Sequence, residues 1–127
     1  MKKVLIVEDE LPYLKLLHGQ LAKNGFAVLE ATDGKSGLDL AKKEQPDLIL
    51  LDIRIPIMNG LEVLNELRKD PYGKTANIIV LTNLEPDDTI IQKIIADHPS
   101  FYFVKTDIQL ASLMEKVNNL LHNPRHE

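Results

Sequence analysis

The 127-residue chain sets 15 Lys and Arg against 19 Asp and Glu, a net charge of −4, which argues against a basic nucleic-acid-binding face. Its 44% apolar content is that of an ordinary folded domain, and the absence of cysteine excludes disulfides and thiolate metal sites. No apolar run approaches the roughly 18 residues of a membrane span, and the stretch after Met1-Lys2-Lys3 is too short for a secretion signal. A cytoplasmic protein with no membrane partner is therefore expected.

Short apolar runs alternate with longer amphipathic segments. Residues 4–7 read as a first strand that ends in Glu8-Asp9-Glu10. A helix over 11–23 follows, with Leu14, Leu17 and Leu21 at helical spacing and Pro12 tolerated in its first turn. Asn24-Gly25 stops it. Residues 26–31 form a second strand, Asp33-Gly34 a turn or cap, and 36–44 a second helix broken by Gln45-Pro46. The third strand, Asp47-Leu48-Ile49-Leu50-Leu51-Asp52, is apolar throughout and ends in a carboxylate. Residues 60–69 carry Leu61, Leu64 and Leu67 and form a third helix. Ile78-Ile79-Val80-Leu81-Thr82 is a fourth strand, 86–97 a fourth helix, 101–104 a fifth strand and 108–121 a fifth helix, before a tail at 123–127.

Strands apolar on both faces, alternating with helices, predict an α/β fold: a doubly wound parallel sheet with helices on both sides. Residues 1–127 are expected to form a single domain, with a core over about 2–122. In such sheets ligands bind beyond the carboxyl ends of the strands. Here those ends carry Glu8-Asp9, Asp52, Thr82 and Lys105.

A charged group at the end of a buried strand costs desolvation energy unless something compensates it. Asp9 and Asp52, with Glu8 beside them, are oxygen ligands suited to Mg²⁺. Asp52 then becomes a candidate nucleophile that forms an aspartyl phosphate, with Lys105 pairing a phosphoryl oxygen and Thr82 donating a hydroxyl to another. Taken singly these residues have plainer readings. Asp9 could cap a helix, Lys105 could be solvated and Thr82 could be an ordinary strand residue. Their shared position at strand ends favours the chemical reading.

Four segments, Val7-Glu8-Asp9-Glu10, Leu51-Asp52-Ile53-Arg54-Ile55-Pro56-Ile57-Met58-Asn59-Gly60, Val80-Leu81-Thr82 and Tyr102-Phe103-Val104-Lys105, resemble the receiver domains of two-component response regulators. The resemblance covers essentially the whole chain, and the stand-alone, chemotaxis-regulator-like members are the nearest in organisation. It implies a flavodoxin-like five-stranded sheet of order 2-1-3-4-5 with five helices. It also implies phosphoryl transfer to Asp52 from a sensor histidine kinase or a histidine phosphotransfer protein. Asp9, Asp52 and the Arg54 carbonyl would ligate Mg²⁺, with Glu8 in support. Thr82 and Lys105 would contact the phosphoryl group, and Tyr102 would act with Thr82 as the switch. The surface of helix four, strand five and helix five would then be read by a downstream target protein, and a homodimer through that surface is possible. Such a protein catalyses only its own phosphorylation and dephosphorylation. The chain ends soon after the fifth helix, so an attached output domain and direct nucleic-acid binding are not expected.

Some positions depart from the family pattern. Thr106 stands where proline usually follows the lysine, and a cis bond there, at about 2.5–4 kcal/mol for a non-proline residue, is the expectation. Asn83 replaces a small residue. Arg54 and Leu84 flank the phosphoryl pocket, and an apolar Leu84 implies a long-lived phosphoryl group. Arg54 could also pair with Glu8 or Asp9. Ile90, Ile91, Ile94 and Ile95 form a stripe wider than one buried seam requires, read as core contact or as a partly exposed partner surface. The four histidines show no metal or relay spacing. Two other functions compete: a pseudo-receiver that binds protein without being phosphorylated, and an aspartate-nucleophile phosphatase. Arg54 disfavours the latter, because it stands where a second aspartate would be needed.

Overall fold

The computed structural model describes residues 1–82, 92–94, 96–97, 99, 101–105 and 110–122, with Thr82, Phe101, Phe103, Val104 and His122 described through their backbone alone. Five strands, β1 (Lys3–Val7), β2 (Ala27–Ala31), β3 (Leu48–Asp52), β4 (Ile78–Thr82) and β5 (Phe101–Val104), form one parallel sheet of order β2-β1-β3-β4-β5. The helices are α1 (Leu11–Lys23), α2 (Gly34–Glu44), α3 (Gly60–Lys69) and a C-terminal helix, Leu110–His122. Residues 92–94 and 96 are also helical, within the fourth helix expected from the sequence.

The central strands are apolar along their length because each face of the sheet packs on its own layer. Leu5, Val7, Ile49, Leu51, Ile78 and Val80 meet Leu38 and Ala41 of α2, Val63, Leu64 and Leu67 of α3, and Ile94. The alternating residues Val4, Ile6, Leu48, Leu50, Ile79 and Leu81 meet Leu14, Leu17 and Leu21 of α1 and Leu113, Met114, Val117 and Leu121 of the C-terminal helix. Each fully buried Leu, Ile or Val contributes about 1.5–3 kcal/mol over leaving it in water. With period-two alternation onto two cores, a one-residue slip of β3 would exchange its partners on both faces.

Local chemistry sets the boundaries. Asp33 caps α2, accepting from the Ser36 amide at 2.7 Å and its hydroxyl at 2.9 Å, so the helix begins at Gly34 rather than Ser36. Gln45 closes α2 in a left-handed conformation at φ 47°. Phe26 donates its amide to Leu21 O at 3.1 Å, which makes it part of the α1 exit turn, and β2 starts one residue later. Asn59 and Glu62 form a reciprocal capping box at the start of α3, both bonds 3.0 Å. Arg68 ties α3 to its surroundings, donating to the carbonyls of Gly73 at 2.6 Å, Ala76 at 2.9 Å and Asp97 at 2.9 Å.

Candidate functional site at the carboxyl ends of the strands

Parallel register brings the acidic ends together. Val7 pairs with Leu51, so Glu8 and Asp52 leave neighbouring strands side by side. The Glu8 amide donates to Ala31 O at 3.0 Å and the Ile53 amide to Leu81 O at 3.2 Å, extending the sheet one step beyond the acids. The chain then turns back on itself. Gly60, first residue of α3, donates to Ile53 O at 2.8 Å, and a Cβ at Gly60 would lie 2.3 Å from the Asp52 carbonyl oxygen. Only glycine permits that approach, which presses α3 against the end of β3. Within the turn, Ile57 sits at φ 72° and is 81% exposed, an uncommon conformation for a β-branched residue.

Lys105, one residue past β5, reaches across β4 and β3 to the acids. Its ammonium donates to Glu8 Oε1 at 2.6 Å, Glu10 Oε1 at 3.1 Å and Asp52 Oδ2 at 3.3 Å. It also lies 4.5 Å from the centroid of the Tyr13 ring. Glu8 and Asp52 are buried, and the Lys105 side chain is only 7% exposed. Glu8 Oε2 accepts from the Glu10 amide at 3.0 Å, and Asp52 Oδ1 from the Arg54 amide at 3.3 Å.

Burial pushes the Glu8 carboxyl up to about 7, and the hydrogen bond from Lys105 only partly opposes it. Asp52 is likewise raised by burial against the pull of Lys105. Burial works to lower Lys105, but its hydrogen bond to Glu8 and the charges of Asp52 and Glu8 outweigh that and hold it above the ordinary lysine value. The site is thus a compact charge cluster with more negative groups than positive. Carboxylate oxygens of Glu8, Asp9 and Asp52 all lie within 4.8 Å of one another, Asp9 being the exposed member. Three hard oxygen donors converging from two sides fit Mg²⁺, which prefers carboxylates and retains water.

Of the residues expected from the sequence, Glu8, Asp9, Asp52 and Lys105 are brought together. Glu8 takes the shortest of the Lys105 bonds, at 2.6 Å. Arg54 is exposed and forms no ion pair with Glu8 or Asp9 among the described residues; Lys105 holds Glu8 instead. Thr82 ends β4 with its backbone paired to Val104. Tyr102 lies in β5 against the core layer of α2 and α3, and its buried hydroxyl has no hydrogen-bond partner among the described residues. Ile94 is fully buried, as core contact requires. Ile90, Ile91, Ile95, Asn83, Leu84 and Thr106, with the peptide bond preceding it, lie outside the described residues. His18 pairs through Nδ1 with Glu30 Oε2 at 2.6 Å. Sequence reasoning did not find Glu10 and Tyr13 as partners of Lys105. Glu10 is an exposed acid at the entry to α1, and Tyr13 carries no spacing signal beyond its place in the first turn of that helix.

Comparison with known proteins places these features. The response regulator receiver domain family matches residues 4–118. The Bacillus subtilis (strain 168) alkaline phosphatase synthesis transcriptional regulatory protein PhoP is 43% identical over 68 residues, which cover 54% of this chain and 28% of that regulator. The chain therefore matches less than a third of that relative's length. Among solved structures, the Vibrio cholerae chemotaxis protein CheY4 superposes with a TM-score of 0.84 at 28% identity, covering 95% of this chain and 99% of that one. The receiver domain of a Pseudomonas aeruginosa PAO1 sensor histidine kinase, which has a magnesium ion coordinated in its active site cleft, shares the fold with a TM-score of 0.84. It is 23% identical over 95% of this chain and 98% of its own. With the sheet order, the acidic cluster and the family match all falling on the same residues, the chain belongs to the receiver domain family of two-component response regulators.

Proposed function

We propose that the chain is one receiver module that accepts a phosphoryl group on Asp52 from a phosphohistidine of a sensor histidine kinase or histidine phosphotransfer protein. Phosphorylation then changes the surface built by the fourth helix, β5 and the C-terminal helix, which a downstream target protein reads. The observation that carries this reading is a buried Asp52 with the Lys105 ammonium 3.3 Å from Oδ2 and the Glu8 and Asp9 carboxylates beside it.

Glu8, Asp9 and Asp52 would hold Mg²⁺, with the Arg54 carbonyl as a further ligand, and the bound ion would offset the negative charge of the incoming group. An Asp52 carboxylate oxygen bonds to phosphorus as the P–N bond to the donor histidine breaks. The histidine nitrogen leaves with its electron pair and takes a proton from solvent. The Lys105 ammonium, already beside Asp52, pairs with the phosphoryl oxygens, and the Thr82 hydroxyl donates to another. Tyr102, sharing β5 with that lysine's approach, couples the site to the target-binding surface by a population shift. The protein's own part is positioning and electrostatics, as phosphoryl transfer requires.

Incubation with Mg²⁺ and acetyl phosphate, or with beryllofluoride, tests the reading. Wild type should gain one phosphoryl group by intact mass or shift its amide spectrum, and Asp52→Asn should do neither. A wild type silent to acetyl phosphate, beryllofluoride and a panel of histidine kinases would refute it.

A further inference from the structure

The Lys105 ammonium is held by more than its carboxylates. Lysine has a four-carbon stem and loses about 2 kcal/mol of rotamer freedom when fixed. Of its ionic partners, Glu10 is 55% exposed, and a salt bridge there is largely screened by water. The Tyr13 ring is a contact of a different kind. Its centroid lies 4.5 Å from Nζ, within the roughly 6 Å over which an aromatic face attracts a cation, and on a side chain only 7% exposed. Tyr13 is itself fixed. It packs against the core layer of α1 and the C-terminal helix, next to buried Leu14, in a first turn that contains Pro12.

We propose that Tyr13 is a positioning residue for Lys105: its ring, with Glu10 at the outer edge, forms a seat that keeps the ammonium over Asp52. The inference rests on the phosphoacceptor reading above and adds a residue that the motif pattern does not supply. Without the ring, Lys105 keeps its charge but can follow Glu10 outward to solvent, where it meets the phosphoryl group late. An aliphatic side chain of similar bulk would fill the core equally well, so packing alone does not require an aromatic residue here.

The experiment compares wild type with Tyr13→Phe, which keeps the ring, and Tyr13→Leu, which keeps apolar bulk. Two readouts are taken on the full chain. The first is the ring-current displacement of the Lys105 Cε protons by NMR. The second is the rate of phosphoryl uptake from acetyl phosphate at saturating Mg²⁺. The Cε protons should lie upfield in wild type and Tyr13→Phe and return to ordinary lysine positions in Tyr13→Leu. Uptake should fall roughly thirtyfold in Tyr13→Leu, the size expected for losing one desolvated cation–π contact, and stay within about twofold of wild type in Tyr13→Phe. Urea unfolding confirms that each variant is folded, with Tyr13→Met as the replacement should Tyr13→Leu fail. Unshifted Cε protons in wild type, equal uptake in all forms, or a Tyr13→Phe as slow as Tyr13→Leu would overturn the inference. A wild type that shows the upfield protons but takes up no phosphoryl group from acetyl phosphate or from a panel of histidine kinases, and does not respond to beryllofluoride, overturns the phosphoacceptor reading while supporting the seat.

Discussion

Replacing Glu8 by glutamine removes the charge of the most deeply buried carboxylate at the strand ends and leaves its shape. Glu8 is 1% exposed, and its carboxyl is pushed from 4.5 to about 7, foremost by burial. In the unfolded chain it loses its proton near 4.5. Between that value and about 7 the folded chain therefore holds a proton that the unfolded chain has released, and stability falls as pH rises through this window. At about 1.4 kcal/mol per unit, the shift sets a ceiling of roughly 3 kcal/mol above pH 7. Because Lys105 and Asp52 share the cluster and readjust when Glu8 is neutral, about 2 kcal/mol is expected. The amide of the variant cannot titrate. The stability of Glu8→Gln relative to wild type should then rise by about 2 kcal/mol from about pH 4.5 to about pH 8, in the presence of a chelator. Urea unfolding reads this as a midpoint shift on the order of 1 M at a typical slope. Added Mg²⁺ should reverse part of the difference, because it stabilises wild type more than the variant. A relative stability that is flat across this range, or that declines as pH rises, would refute the reasoning.

Gly60→Ala should destabilise by about 3 kcal/mol, because the new Cβ meets backbone rather than a movable side chain, 2.3 Å from the Asp52 carbonyl oxygen; a loss under about 1 kcal/mol in urea would show that α3 can step back freely. Ile57→Asn should stabilise by about 1 kcal/mol, since Asn adopts φ 72° more readily and the exposed isoleucine loses little packing. An unchanged or lower melting temperature would count against strain at that position. Arg68→Met should cost about 2 kcal/mol by removing the guanidinium donor from three backbone carbonyls; a neutral result in thermal melts would mean that water replaces it without loss.

The sheet was legible because burial on both faces leaves an unbroken apolar run that few other structures need. The bounds of α1, α3, β4 and β5 follow from Pro12, Asn24-Gly25, Gly60 and the residues around Phe101, all local signals. Boundaries slipped where a side chain intervened, at Asp33 capping α2, and where the backbone turned, at Phe26 joining the α1 exit. The acids of the site were legible as charges misplaced at the ends of apolar strands. The distribution of Lys105 among its partners was not. Whether an ammonium some hundred positions away settles on Glu8, on Asp52 or over a ring depends on distances of a few tenths of an ångström, which no spacing rule carries. The same holds for His18 and Glu30, joined across α1 and β2 with nothing periodic to announce it.

The bond from Lys105 to Glu8 spans 97 positions and closes the first strand upon the last. During synthesis the acidic half of the cluster is complete once β3 has docked, while its counter-ion is still to come. A chain folded only through β4 would shelter Glu8 and Asp52 with no ammonium between them, an arrangement that resists burial. The arrival of β5 relieves it. The site is therefore coupled to the order in which the sheet is built, and it reports that the last strand is in place. Fraying at that edge would return both carboxylates to their uncompensated condition, so the charge balance of the cluster and the completeness of the fold are lost together.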